Sequence, residues 1–346
     1  MGILSSVTLV SVFFGMAQAN ESGSAAVQAA AVGQSEGTSP IGAIFGPNHF
    51  DKDFGFVVGL KAWANQWDMP VSTVGYSAIV SPTGINRPTN NDTIISFESD
   101  QETSLVPALM LRYKNFFVGT SFIPEKDYSF DTQQVGTVSI VGKDNAFSQQ
   151  FPKLHDVITH LPGMSDNFIV SLYDTPTAKR KEWDVNLGYF VTPNLALTLG
   201  YKELDRSYQH SILAMVEQCG CDTTVFLKNF TQQNSYLTAK GPIIGLSGSA
   251  PVGKGFNLYG NMAFGWLKVD EDVSAFFNTP ETYNSNDGRY YFGEVGLNYS
   301  FPLDAALSSV TLGGGYRFQR LEYSSGNAGD QNDSTHGFTL SVSASF

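Results

Sequence analysis

From Phe54 onward, apolar and polar positions alternate with a period of two. Phe54, Phe56, Val58, Leu60, Ala62 and Ala64 share one parity, and Gly55, Gly59, Lys61 and Asn65 share the other. Such alternation predicts β-strands whose two faces meet different surroundings. Leu105, Leu109, Leu111 and Tyr113 repeat the pattern opposite Arg112 and Lys114, and Lys114-Asn115 leads straight into Phe116, Val118, Thr120 and Phe122. A connection this short joins antiparallel neighbours. A second hairpin runs from Trp183, Val185, Leu187, Tyr189 and Val191 through Thr192-Pro193-Asn194 to Leu195, Leu197, Leu199 and Tyr201, with Asp184, Asn186, Thr198 and Lys202 on the opposite parity. Ile244 and Leu246 pass through Val252-Gly253-Lys254-Gly255 to Phe256, Leu258, Met262, Phe264 and Trp266. Tyr291, Val295, Leu297 and Tyr299 pass through Phe301-Pro302-Leu303-Asp304 to Val310, Leu312, Tyr316 and Phe318. The closing segment, His336 to Phe346, sets Phe338, Leu340, Val342, Ala344 and Phe346 against Gly337, Thr339, Ser341, Ser343 and Ser345.

Between these hairpins lie longer polar connections at about 68–103, 131–181, 208–240, 269–288 and 323–335. Short turns alternating with long loops predict an all-β, antiparallel up-and-down barrel that crosses a membrane, with short periplasmic turns and long extracellular loops. Ten strands account for the pattern. Twelve is the alternative, because Val135 to Val141 and Asn167 to Tyr173 are also strand-like.

The closing segment, ending on Phe346, resembles the last strand of bacterial outer-membrane β-barrel proteins. The resemblance implies residence in a bacterial outer membrane among its lipids. It also implies that Phe346 belongs to a signal read by the barrel-assembly machinery. It carries no functional residue.

Composition fits this picture. Charged residues make up 15% of the 346 residues, against roughly 25% in an ordinary soluble protein, and aromatics make up 13%, with 26 Phe and 15 Tyr. A mean hydropathy of −0.09 suits a chain in which only alternate strand residues meet lipid. No internal run reaches the roughly 18 apolar residues of a membrane helix. A net charge of −12 without a basic stripe argues against nucleic acid as a partner.

At the N-terminus, the apolar run Ile3 to Met16 followed by Ala17-Gln18-Ala19 predicts a signal peptide over 1–19, although no Lys or Arg precedes the run. The Ala/Gly/Ser-rich stretch 20–50 reads as a flexible periplasmic lead-in, and the barrel proper as 51–346. A small plug built on Ile41, Ile44 and Phe45 is the alternative for that stretch.

Candidate chemistry begins with the inward parity, which directs Lys61, Arg112, Lys114, Asp184, Lys202, Glu294 and Arg317 toward the lumen. These charges either pair across the barrel and stiffen it or line a narrow path and set its selectivity. Cys219-Gly220-Cys221 offers a loop disulfide whose small ring is strained and easily reduced. His155 and His160 flank Asp156 without a metal or hydrolase spacing, and His210 with Asp205 forms the other conceivable acid–base pair. There is no haem-attachment signature and no nucleophile elbow, so neither a cofactor nor a metal is expected. Trp63, Trp67, Trp183, Tyr189, Tyr201, Trp266, Tyr291, Tyr299, Tyr316 and Tyr323 are candidates for the two interfacial belts.

The functional expectation is a narrow porin-like channel passing small solutes or ions. The alternative is a closed structural or surface-interaction barrel acting through its long loops. A rim hydrolase using His210 or the His155–His160 loop is the third reading.

Overall fold

The computed structural model describes residues 53–74, 77–81, 84–86, 92–140, 168–218, 224–273, 282–303, 309–324 and 330–346. The expected signal peptide, the lead-in segment, the Cys219–Cys221 pair and the His155–His160 loop lie outside them.

Among the described residues, fifteen strands follow in chain order: β1 (Phe54–Val74), β2 (Ser77–Ser81), β3 (Gly84–Asn86), β4 (Asp92–Glu98), β5 (Glu102–Tyr113), β6 (Phe116–Ser129), β7 (Gln133–Ile140), β8 (Phe168–Asp174), β9 (Thr177–Thr192), β10 (Leu195–Gln218), β11 (Thr224–Gly253), β12 (Phe256–Val273), β13 (Thr282–Pro302), β14 (Ser309–Ser324) and β15 (Asp330–Ser345). Ten of them close on themselves in the order β1-β5-β6-β9-β10-β11-β12-β13-β14-β15, every pair antiparallel. The seam joins the first and last barrel strands, Val57 opposite Ser345 through to Asp68 opposite Ser334. The twelve-strand alternative is thereby corrected. The strand-like segments it rested on are β7 and β8, but β8 pairs with the upper end of β10 and β7 with β8, outside the ring.

The short turns gather at one end. Lys114 adopts φ +54°, and Gly253, Lys254 and Gly255 all have positive φ. Two-residue connections of this twist match the twist of the strands they join.

On the outer wall an apolar band gives way abruptly to polar residues. Along β10, Leu195, Leu197, Leu199 and Tyr201 are followed on the same face by Glu203, Asp205 and Ser207, and along β12 Trp266 is followed by Lys268 and Asp270. Along β15 the change falls between Phe338, 68% exposed, and His336. Large apolar side chains continuously exposed around a closed barrel have lipid as their natural surroundings.

Among the described residues, the stretches expected to be long polar loops are instead mostly strand. β10 runs for 24 residues and β11 for 30, whereas about 9–11 tilted residues cross a bilayer. Beyond the band the outer face turns polar while the inner face stays buried, with Leu204, Leu237, Leu267, Val269, Tyr290, Leu321 and Tyr323 forming one apolar cluster beside the buried charges. The alternation therefore survives with water in place of lipid, and the barrel wall extends well past the membrane.

Candidate functional site

The lumen holds the densest chemistry. Among the described residues, the buried charged side chains are Lys61, Arg180, Lys202, Arg206 and Arg317 against Asp174, Glu182, Glu271, Glu294 and Asp333. The two signs balance five to five, and Glu182, Glu271, Glu294 and Asp333 each lie within ion-pair distance of a buried cation, which offsets the cost of burying charge.

Near the middle of the barrel Lys61 Nζ lies 2.7 Å from both oxygens of Glu294, which also accepts from Tyr259 Oη at 3.1 Å and Thr339 Oγ1 at 3.3 Å. The Arg317 guanidinium sits between the rings of Trp63 and Phe292, 4.5 and 5.0 Å from their centroids. Gln319 lies between Glu182 and Arg317, and with its amide nitrogen turned toward Glu182 and its oxygen toward Arg317 it bridges this group to a second one.

The second group is built around two carboxylates. Glu182 accepts from Arg180 at 2.7 Å and from Lys202 at 2.6 Å. Asp333 accepts from Arg180 at 2.7 Å, from Arg206 at 2.6 Å and from the Trp67 indole at 3.0 Å. Arg206 also donates to Tyr323 Oη at 2.6 Å and lies 3.7 Å from Glu271. β10 and β15 are five places apart around the ten-stranded ring, so the Arg206–Asp333 pair crosses the full lumen.

The cavity beside these groups measures about 60 Å³ and is lined by Lys61, Asp184, Lys202, Tyr290 and Arg317 among others. That is room for a few water molecules.

Of the residues the sequence singled out, Lys61, Lys202, Glu294 and Arg317 come together in the lumen. Asp184 lies beside them, accepting from Ser121 at 2.8 Å and Asn186 at 2.9 Å. Arg112 lies at the short-turn end, where its Nε donates to the Lys114 carbonyl at 2.6 Å and its guanidinium covers Phe190. Lys114 is a correction: it occupies the exposed β5–β6 turn, because the strand ends at Tyr113 and parity no longer aims the side chain. Trp63, Trp67 and Tyr323 are corrections of the belt assignment. They are buried inside the barrel, on the same inward parity as Lys61 for the two tryptophans. Trp266, Tyr189 and Tyr201 do face outward. His210 lies within β10 opposite Gln233, and Asp205 faces outward with Lys181 3.1 Å away. Phe346 packs its ring 5.9 Å from that of Phe56, across the closing seam.

Arg180, Glu182, Arg206, Glu271 and Asp333 were missed. Glu182 and Arg206 share the inward parity of Asp184 and Lys202, so extending the alternation would have found them. Arg180 and Asp333 fell in stretches read as loops.

A closed ten-stranded antiparallel ring with an apolar outer band and a polar, ion-paired interior defines a transmembrane β-barrel of the bacterial outer-membrane kind. No family model and no curated protein matches the sequence. Among solved structures, the outer-membrane protease OmpT from Escherichia coli shares 11% identity over 84% of this chain and 95% of its own, with a TM-score of 0.43. The toluene transporter TbuX of Ralstonia pickettii gives 10%, 85%, 89% and 0.26, and the translocator domain of the autotransporter NalP from Neisseria meningitidis 8%, 86%, 89% and 0.30. Likeness at this level transfers neither an activity nor a residue.

Proposed function

We propose that this chain works as a closed outer-membrane barrel, acting through its outer wall and its extramembrane strands rather than by conducting solutes. The observation that carries the reading is the Arg206–Asp333 pair, which spans the lumen between opposite strands at 2.6 Å. Glu182, Arg180 and Lys202 extend that bridge, Gln319 carries it on to Arg317, and the Lys61–Glu294 pair forms a second bridge across the barrel. A solute path through this layer would have to separate several buried ion pairs. Breaking even one by removing a partner costs about 3–5 kcal/mol.

Planar-bilayer recording of the refolded chain tests this. The closed reading expects a silent barrel whose folding is shown independently by heat-shifted migration. Steady, discrete openings that change selectivity in Lys61→Glu would instead establish the narrow channel and remove the proposal.

A further inference from the structure

On the outer wall, three neighbouring strands bring together a hydroxyl, an imidazole, a carboxylate and a guanidinium at the upper edge of the apolar band. Ser334 of β15 lies in register with Asp68 of β1 on one side and Arg320 of β14 on the other. His336, two residues along β15 on the same face, lies between Gln66 and Phe318. Directly opposite residues on one face of an antiparallel pair stand about 5 Å apart at Cβ. Ser334 Oγ donates to Asp68 Oδ2 at 3.0 Å, and His336 Nδ1 is 3.9 Å from that same oxygen. Glu98 of β4 stands opposite Asp68 on its other side. Arg320 gives one Nη to Asn332 at 2.7 Å and Glu322 at 2.8 Å, while its shielded Nε has no hydrogen-bond partner among the described residues.

The row beneath is Tyr316, Phe338 and Ala64, and below it Leu340 is 70% exposed. The cluster therefore sits at the first polar level above the hydrocarbon, open to the bilayer and partly open to water. Ester bonds of membrane lipids occupy that level, between the acyl chains and the charged headgroups.

We propose that Ser334, His336, Asp68 and Arg320 form a site on the outer wall that hydrolyses an acyl ester of a membrane lipid. Ser334 Oγ is the nucleophile and His336 the general base. Asp68, with Oδ2 3.9 Å from the imidazole Nδ1, is assigned as the positioning residue on that side, which leaves Nε2 free to take a proton. The Ser334 hydroxyl rests on Asp68, and a rotation between staggered χ1 wells turns it toward His336. The hydroxyl oxygen then attacks the acyl carbonyl carbon as its proton passes to Nε2. The oxyanion of the tetrahedral intermediate takes hydrogen bonds from the Arg320 guanidinium. Collapse breaks the bond to the lipid alkoxide, which leaves with the proton from His336. Water then attacks the acyl-serine, His336 relays its proton back to Ser334 Oγ, and a fatty acid departs. The balance is one ester and one water to one lysolipid and one fatty acid. This site is independent of whether the lumen conducts.

The test places the folded full chain in two sets of vesicles, one of phosphatidylethanolamine with phosphatidylglycerol and one doped with a phosphorylated, acylated disaccharide lipid. Mass spectrometry follows fatty-acid release, and a fluorophosphonate probe is mapped on the protein. The expected result is a label on Ser334 and release from one or both vesicles. Ser334→Ala should lose the label and slow release by about a hundredfold or more, and Arg320→Gln should do so by about a hundredfold. Asp68→Asn should lower kcat with KM kept, because the imidazole loses the carboxylate that orients it while lipid binding is untouched. All four side chains face outward, so the variants keep the barrel, which heat-shifted migration verifies. Release unchanged in Ser334→Ala, or neither label nor release from the folded wild type in either vesicle, overturns the proposal. Which vesicle responds assigns the lipid.

Discussion

Replacing Asp333 by Asn probes the interior directly. The substitution keeps the side chain's shape and removes its charge. Both carboxylate oxygens are engaged, one by Arg180 and Trp67 and the other by Arg206, and the residue is fully buried. An amide offers one acceptor, and its NH2 group would face a guanidinium that can only donate. Removing one partner of a buried ion pair costs about 3–5 kcal/mol. Arg180 keeps Glu182 at 2.7 Å, and Arg206 keeps Glu271 at 3.7 Å and Tyr323, so the lower end, about 3 kcal/mol, is expected. That is a more than hundredfold loss in the folded-to-unfolded ratio, at 1.4 kcal/mol per factor of ten. Urea titration of the barrel in vesicles, followed by tryptophan fluorescence, measures it, with Trp67 as a reporter in contact with the mutated site. Arg206→Met combined with Asp333→Asn should cost less than the sum of the single changes, because it removes the orphaned cation as well. A shift below about 1 kcal/mol for Asp333→Asn, the value of an exposed pair, would refute the claim that this network locks the lumen.

Further outcomes follow from other parts of the wall. Val342→Arg, in the middle of the outward apolar row of β15, should destabilise the barrel by about 2–4 kcal/mol, whereas His336→Arg, above the band, should cost no more than about 1; equal costs in the same titration would mean the band is misplaced. Gly315→Val should block folding, scored by loss of heat-shifted migration, because any Cβ there meets the Tyr259 hydroxyl and the Val295 carbonyl. Gly188→Ala should strain the wall in the same assay, since the added methyl would fall inside the Phe117 ring unless that ring moves. Tyr208 lies beyond the membrane band, and burial pushes its phenol up to about 12. A raised acid pKa in the folded state means stability is held below pH 10 and lost between about 10 and 12; phenolate absorbance that appeared fully by pH 10 would contradict that burial.

The sequence by itself determined the architecture, because a strand's period of two writes each face into alternate letters. Phe338, Leu340 and Val342 against Thr339, Ser341 and Ser343 specify which side meets lipid without knowledge of any partner strand. The turns at Lys114-Asn115 and Lys254-Gly255 likewise declare hairpins locally. Lys61, Glu294 and Arg317 could be placed inside on parity alone. Their partners could not, since Lys61 and Glu294 are 233 residues apart and Arg206 and Asp333 are 127 apart, and only the closure and register of the ring decide which inward charges meet. The extent of the strands was illegible for a related reason. Past the band, solvent replaces lipid and the outer face becomes polar, so the signal that marked a strand in the membrane fades while the inward packing that sustains it runs on. The outer-wall cluster shows the same limit: Ser334 and His336 are neighbours in the chain, but Asp68 joins them only because the last strand of the barrel pairs with the first.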